Sequence, residues 1–417
     1  MTLGAQRVRR TYLTLTVLST LAASFIWGIN TLFLLDAGLS NAAAFTVSAF
    51  YTAGQVLFEI PTGVVADTRG RRTSYLLGAA TLLVSTLLYV WMWQIQGPLW
   101  GWALSSVVIG LGFTFFSGAV EAWLVDALAA NDYDGDLESI FAKGQVGTGI
   151  AMLTGSVSGG LVAQVSNLGV PYLIRAALLG AVFVVAYRAM RDEGFSPARG
   201  ATALGAIKTV LSASVEQGWR NPPVRWLMLA APFTMGAGVF AFYAMQPYLL
   251  ELYGDETAFF VAGLAASIVA GAQIVGGLLV ARIRKLFKRR TDALIAGACV
   301  SVVTLAGLGL TANFWIALVL LSVWALTYSA SFPLRQAYVN GVIPSEQRAT
   351  VLSFDALMGS AGGVVSQPAL GRSADVWSFS TSYLITSAIS AFAVPFFVLA
   401  RKEQASSDPI EVTISKG

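Results

Sequence analysis

The sequence predicts an all-α polytopic membrane protein, and three observations carry that prediction. Of 417 residues, 56% are hydrophobic and only 12% are charged, whereas soluble domains carry roughly a quarter charged residues. The mean hydropathy is +0.69. The apolar residues gather into twelve runs, each long enough to cross a hydrocarbon core as a helix rising ~1.5 Å per residue. A soluble fold could not hide so much apolar surface, and in lipid a helix satisfies its own backbone.

The runs fall at 12–35, 41–66, 73–94, 98–125, 139–165, 171–190, 224–250, 256–281, 291–312, 314–341, 350–371 and 378–400. Residues 1–28 imitate a secretory signal, with Arg7, Arg9 and Arg10 before an apolar stretch. They lack a convincing small-residue cleavage site, so they read as a retained first span. An even number of spans puts both termini on one side. Basic charge sets that side: Arg7, Arg9 and Arg10, the hairpin Asp67-Thr68-Arg69-Gly70-Arg71-Arg72, the loop Arg282 to Arg290, and Arg401 with Lys402 all fall on it. Basic residues flanking spans favour the cytoplasm, so the expected location is the cell membrane with cytoplasmic termini. Trp91, Trp93, Trp100 and Trp102 cluster at the opposite turn, where an aromatic belt is expected. Arg175, near the outer end of span six, is expected to snorkel.

The hydrophilic stretch 191–223 divides the chain into two sets of six spans. The expected domains are 1–191, a linker 192–222 with an amphipathic segment at 203–219, a second half 223–401, and a tail 402–417 that is polar and disordered. Ala66-Asp67-Thr68-Arg69 is answered by Ala281-Arg282-Ile283-Arg284, each after the second span of its half. Such parallel halves are a transporter plan.

These features together resemble the major facilitator superfamily, along the whole chain. Gly63 to Arg72 is similar to the family's inner-loop motif, with Thr68 and Val65 as departures. The resemblance implies two six-helix halves around a cavity lined by spans one, four, seven and ten, alternating access, and a monomer. It also implies a gate latch made of Gly63, Asp67, Arg69, Gly70, Arg71 and Asp126, with Arg71 meeting Asp126 and Asp67 lying against 348–355. Gly155 to Gly160 in span five is similar to a motif of proton-driven exporters, with Ser156 in place of the usual proline. Independently of any family, Gly147, Ala151, Gly155 and Gly159 recur every four residues. With Gly160 they form a small-residue stripe suited to close helix packing or to a rocking interface.

There is no histidine, so proton coupling would fall to carboxylates. Glu59 lies eight residues before Asp67 on one helix, ~12 Å deeper, and is expected to be buried beside Pro61. Glu121 lies five residues before Asp126, and the two point about 140° apart, so they serve different roles. With Asp126 assigned to the latch, Glu121 is free to face the cavity among aromatic neighbours. The bland alternatives are a neutral carboxyl hydrogen-bonded within the helix bundle for Glu59 and a structural ion pair for Glu121. Arg335 and Asp355, near the cytoplasmic ends of their spans, read as a structural pair or as snorkelling side chains. Trp27 and Asn30 in span one, Tyr243 and Gln246 in span seven, and Trp324, Tyr328 and Phe332 in span ten are candidate cavity residues, though an aromatic stripe also suits packing.

No nucleotide-binding loop, nucleophile elbow or metal-ligand cluster is present, so neither enzyme activity nor a cofactor or metal is expected. The net charge of +4 reflects loops, so nucleic acid is no expected partner. Expected partners are lipid, protons and a small-molecule substrate. The leading expectation is proton-coupled efflux of lipophilic or cationic small molecules. Its rivals are an uptake symporter for a small nutrient and a membrane receptor that moves nothing.

Overall fold

The structure, a computed structural model, describes residues 2–197, 204–205, 207–208, 212, 218–343 and 348–410, without the side chains of 349 and 350. Most of the segment expected to be amphipathic, 203–219, lies outside the described residues. The twelve predicted spans are helical, and among the described residues the only extended pairing is a bridge between Arg289 and Pro409. Among the described residues, nine helices are long and apolar enough to cross a membrane by length and composition. Spans one, two and eleven fall short of that test, and two of these carry Glu59 and Asp355. Large apolar side chains such as Leu104, Val165, Val303 and Val319 stand on the outside, as lipid contact requires. The chain forms two compact units, Met1–Ala206 with Asp255–Ser267, and Ile207–Gly254 with Ile268–Gly417.

In the first unit, span one is not continuous. Leu3–Ser24 and Asn30–Asp36 are separated by a run of turns. Thr2 caps the first piece by accepting from the Ala5 N–H. That piece packs on spans five and six, and its Tyr12 and Leu15 are buried with Tyr75, Trp123, Leu124 and Val182. The second piece is held by rings. Phe33 stacks on Tyr172 with centroids 3.9 Å apart and lies beside Tyr89 and Trp102. Two of the four tryptophans expected in a belt therefore have other work. Trp102 is fully buried in this cluster, and Trp93 stacks on Phe33 and donates to Asp36. Trp91 and Trp100 remain exposed.

The glycine stripe of span five (Leu137–Val165) is a packing surface. A Cβ on Gly155 would lie 2.6 Å from Ser24 Cβ, and one on Gly159 only 1.8 Å from the Phe25 carbonyl oxygen. Gly160 meets Gly263 of span eight (Phe259–Ile283) at a similarly close approach, within the first unit. Span one thus breaks where it touches span five most closely.

The second unit repeats the packing scheme of the first. Spans three on four, three on six, one on five and one on six correspond to nine on ten, nine on twelve, seven on eleven and seven on twelve. Span seven is also interrupted, by a π-turn at Pro232–Gly236 between Pro222–Ala231 and Ala237–Tyr253. The wide turn fits because span eleven offers glycine there: a Cβ on Gly362 would lie 2.5 Å from Pro232 Cα. The Ser366 hydroxyl donates to the Gly236 carbonyl, satisfying an acceptor at the disturbed turn.

A second correspondence was not visible in the sequence. After span six, Asp192 accepts from the backbone N–H of Arg72 at the start of span three (Arg71–Gln94). After span twelve, Asp408 accepts from the backbone N–H and the hydroxyl of Thr291 at the start of span nine (Arg290–Leu310). Each unit is therefore closed by an acid from its own final segment, placed where helix dipoles favour negative charge. The disordered tail expected at 402–417 is corrected over its first part. Residues 403–410 are docked, with Asp408 only 1% exposed and the Ser407 hydroxyl bonded to the Tyr338 carbonyl. The reason is that Asp408 and the carbonyls of Ser407 and Pro409 supply acceptors that Arg290 and Thr291 lack within their own helix. Removing Asp408 with alanine should cost about 1–3 kcal/mol, the usual effect of stranding buried donors. Thermal unfolding in detergent checks this, and an unchanged midpoint would contradict it.

Candidate functional site

Span four builds the site by breaking. Its helix Leu99–Phe116 stops at Ser117 and Gly118, then restarts as Ala119–Ala129. Gly118 sits at φ +67°, a left-handed conformation that glycine adopts without strain. The buried Ser74 hydroxyl donates to the Phe115 carbonyl at the break. The Ser117 hydroxyl donates to Glu59 Oε1 at 2.9 Å. Glu121 occupies the first turn of the restarted helix, where free N–H groups favour an anion.

Glu59, Ser117, Gly118 and Glu121 line a cavity of about 570 Å³ inside the first unit. Glu59, Glu121 and Arg175 are its charged residues; Trp27, Phe113 and Phe116 are among its aromatic ones, with Gln55 and Gln145 as amides. Small-molecule sites commonly span about 300–1,000 Å³ and mix apolar walls with a few placed polar groups. Two expectations need correction. Glu59 is accessible on the cavity wall instead of buried, because the break in span four opens space beside it. Arg175 does not snorkel. It is 3% exposed, its Nε donates to Thr86 Oγ1 at 3.1 Å, and its guanidinium lies 5.9 Å from the Phe113 ring centroid. Span six begins at Gly169, two residues before the expected start, which sets Arg175 deeper than its sequence position suggested.

The hairpin after span two (Asn41–Arg69) has the expected neighbours within its unit. Arg71 meets Asp67 at 2.5 Å and Asp126 at 4.0 Å. Gly70, at φ +107°, is required twice over, since a Cβ there would also strike the Asp192 carboxylate. Arg72 adds a bond to the Tyr187 carbonyl and lies over the Tyr187 ring. Gly63 and Arg69 are exposed, and a Cβ on Gly63 would meet nothing within 4 Å. The 348–355 region implied as the partner of Asp67 belongs to the second unit.

The remaining candidates divide. Trp27 lines the first unit's cavity. Asn30 instead accepts from the Tyr172 hydroxyl, because it starts the second piece of span one and faces the ring cluster. Trp324, Tyr328 and Phe332 line a smaller cavity of about 70 Å³ in the second unit, together with Met235 and Arg335. Tyr243 and Gln246 line neither of these two cavities, and Gln246 is buried in span seven. Arg335 and Asp355 do form a pair, at 2.5 Å and each 8% exposed, and Arg335 also donates to the Leu227 carbonyl. Replacing Asp355 with asparagine should strand a buried cation and cost about 3–5 kcal/mol, with part of the loss recovered when Arg335 becomes methionine as well. Equal unfolding midpoints for wild type and Asp355→Asn would refute it.

Twelve helical spans divide into two compact units of similar packing, and the first holds a polar cavity walled by broken helices, an architecture in keeping with integral membrane transporters. The sequence pattern of the Major Facilitator Superfamily matches residues 12–291 and again 242–413, and the chain belongs to that family. It is a multi-pass membrane protein of a transporter family. An uncharacterised MFS-type transporter of Methanocaldococcus jannaschii is 21% identical over 243 residues, which is 58% of this chain and 60% of that protein. The matched region thus spans under two thirds of the relative's length. Among solved structures, the nucleoside transporter NupG superposes with a TM-score of 0.78 at 11% identity, covering 95% of this chain and 99% of the other. A peptide transporter, POT, in complex with sulfate gives 0.76 at 12% identity, covering 96% of each chain. A bacterial homolog to the human lysosomal transporter Spinster, inward-facing and occupied, gives 0.71 at 13% identity, covering 96% and 98%. At these identities the likeness speaks for the fold.

Proposed function

We propose that the protein is a proton-coupled antiporter that exports lipophilic or cationic small molecules. The carrying observation is that Glu59 and Glu121 line one cavity at the break in span four. A proton and an ammonium group compete for the same carboxylate. A carrier that binds either, but not both, exchanges one for the other as it alternates its access. The aromatic walls suit an amphiphilic cation.

Asp67, Arg71 and Asp126 serve in this reading as a gate latch. Exposed ion pairs of this kind are worth about 0–1 kcal/mol each, weak enough to be broken and remade each cycle. Gly155, Gly159 and Gly160 keep span five tight on its neighbours. The protein resides in the cell membrane as a monomer with cytoplasmic termini.

The test is a pH-sensitive dye inside proteoliposomes during addition of tetraphenylphosphonium, ethidium and tryptamine. Proton movement opposite to substrate is the expected result. Movement in the same direction would turn the protein into a symporter. Ligand binding without counterflow would make it a receptor.

A further inference from the structure

The hairpin between spans eight and nine repeats the position of the one between spans two and three, but not its charge. Where the first has Ala66-Asp67-Thr68-Arg69, the second has Ala281-Arg282-Ile283-Arg284, so a cation stands in place of the acid. In the first hairpin Arg71 is met by Asp67 and Asp126, and Arg72 by the Tyr187 carbonyl. In the second, six cations and no acid fall within residues 282–290. Arg290 is satisfied there by the Ser407 and Pro409 carbonyls. Among the described residues, the side chains of Arg282, Arg284, Lys285, Lys288 and Arg289 make no hydrogen bond or ion pair. The acids beside the hairpin are committed, Asp292 to Arg401 and Asp408 to Thr291. Like charges crowded in this way draw counterions from outside the chain.

The surroundings of the hairpin supply them. It joins Phe259–Ile283 to Arg290–Leu310, two membrane-crossing helices, through one short turn at Arg284–Leu286, so it lies at the membrane–water interface. Leu278 is 76% exposed, and Arg282 follows it by four residues on the same helix face. An apolar side chain turned outward is thus followed, one turn nearer the surface, by a cation. Leu286 is 79% exposed in the middle of the basic run, an arrangement that acyl chains favour and water does not. The last described residues hold this surface in place: Arg289 pairs with Pro409 in a bridge, and the Ile410 N–H donates to the Lys288 carbonyl. The cations are therefore presented on a fixed loop.

We propose that this hairpin is a binding site for anionic phospholipid. Arg282, Arg284, Lys285 and Lys288 take the headgroup phosphates, and Leu286 enters the acyl boundary beneath them. The site is separate from the cavities of both units and stands whatever the protein transports.

The test is a titration of the purified full-length protein, in uncharged detergent, with dioleoylphosphatidylglycerol or dioleoylphosphatidylcholine. The unfolding midpoint is read against lipid concentration. Phosphatidylglycerol should reach half its effect at a concentration about tenfold or more below that of phosphatidylcholine. Each cation near an anionic surface is worth about fivefold in binding. Arg284→Gln, Lys285→Gln and Lys288→Gln together should therefore remove this preference and leave the response to phosphatidylcholine unchanged. Arg10→Gln with Lys143→Gln, which removes two exposed cations of the first unit, should keep it.

Two measurements on the wild type keep the test decisive if the triple variant does not fold. Sodium chloride at about 0.5 M should erase the preference by screening. Sodium phosphate should leave the midpoint where it was, since a free anion brings no acyl chain to the loop. Equal response to the two lipids, a preference that survives the triple substitution or high salt, an equal loss in the first-unit variant, or a shift of the same size from sodium phosphate would each overturn the proposal.

Discussion

Replacing Glu121 with glutamine should abolish net proton exchange while leaving the protein folded. The carboxylate lies in the first turn of a restarted helix and lines a cavity, so the isosteric amide fits without repacking. What is lost is the ability to bind a proton and an ammonium alternately. Removing a positioned proton-transfer group typically costs 10²–10⁴-fold, and a fall of about 100-fold or more in substrate-driven proton flux is expected here. Substrate binding should weaken as well. Glu59→Gln should differ. Its carboxylate accepts from the Ser117 hydroxyl, so its loss should reduce coupling while substrate binding is largely kept. Dye fluorescence in proteoliposomes, beside binding measured in detergent, separates the two. Intact coupling in both variants would remove the carboxylates from the mechanism.

The largest structural effect should come from Gly159→Ala. Its added methyl would lie 1.8 Å from the Phe25 carbonyl oxygen, and the obstacle is backbone. A flexible side chain could swing away; a carbonyl in a helix break cannot. Overpacking usually costs about 1–3 kcal/mol and occasionally more, and this position belongs at or above the upper end. Gly180 is the internal control. It lies in a helix of the same unit and a Cβ there meets nothing within 4 Å, so alanine should be neutral or stabilise by about 0.5–1 kcal/mol. Expression yield and unfolding midpoints of the two variants should diverge sharply. Similar midpoints would mean that span one yields where the packing says it cannot.

Much of this was legible in the sequence because it follows from local pattern. Apolar run length gave the twelve spans, and the hairpin at Gly70 gave a turn between spans two and three that the structure has. The angular offset of Glu121 from Asp126 put the two on different faces of the helix; in the structure Glu121 lines the cavity and Asp126 lies 4.0 Å from Arg71. The four-residue recurrence of Gly155 and Gly159 marked a close helix contact. What could not be read were features that depend on distant chain. Asp192 and Asp408 fall in polar stretches of the sequence, and nothing local says that their partners are N–H groups some 120 residues away. Arg175 looked like a surface cation because its depth depends on where span six begins and on the Thr86 hydroxyl waiting there. The breaks in spans one and four carry no strong local signal either, as Ser117-Gly118 is compatible with a continuous helix. Glu59 is accessible only because one of those breaks lies beside it.

The acids that close each unit also bear on how the protein could be dissected. Asp192 precedes, and Asp408 follows, any cut made between residues 197 and 204, so each fragment would keep its own closing carboxylate. The two fragments are not equally autonomous, however, because Asp255–Ser267 is encoded with the second but is part of the first compact unit. Expressed from separate genes, the amino-terminal piece should accumulate poorly alone and be rescued by its complement, making the protein a candidate for a split reporter whose signal depends on reassembly in the bilayer.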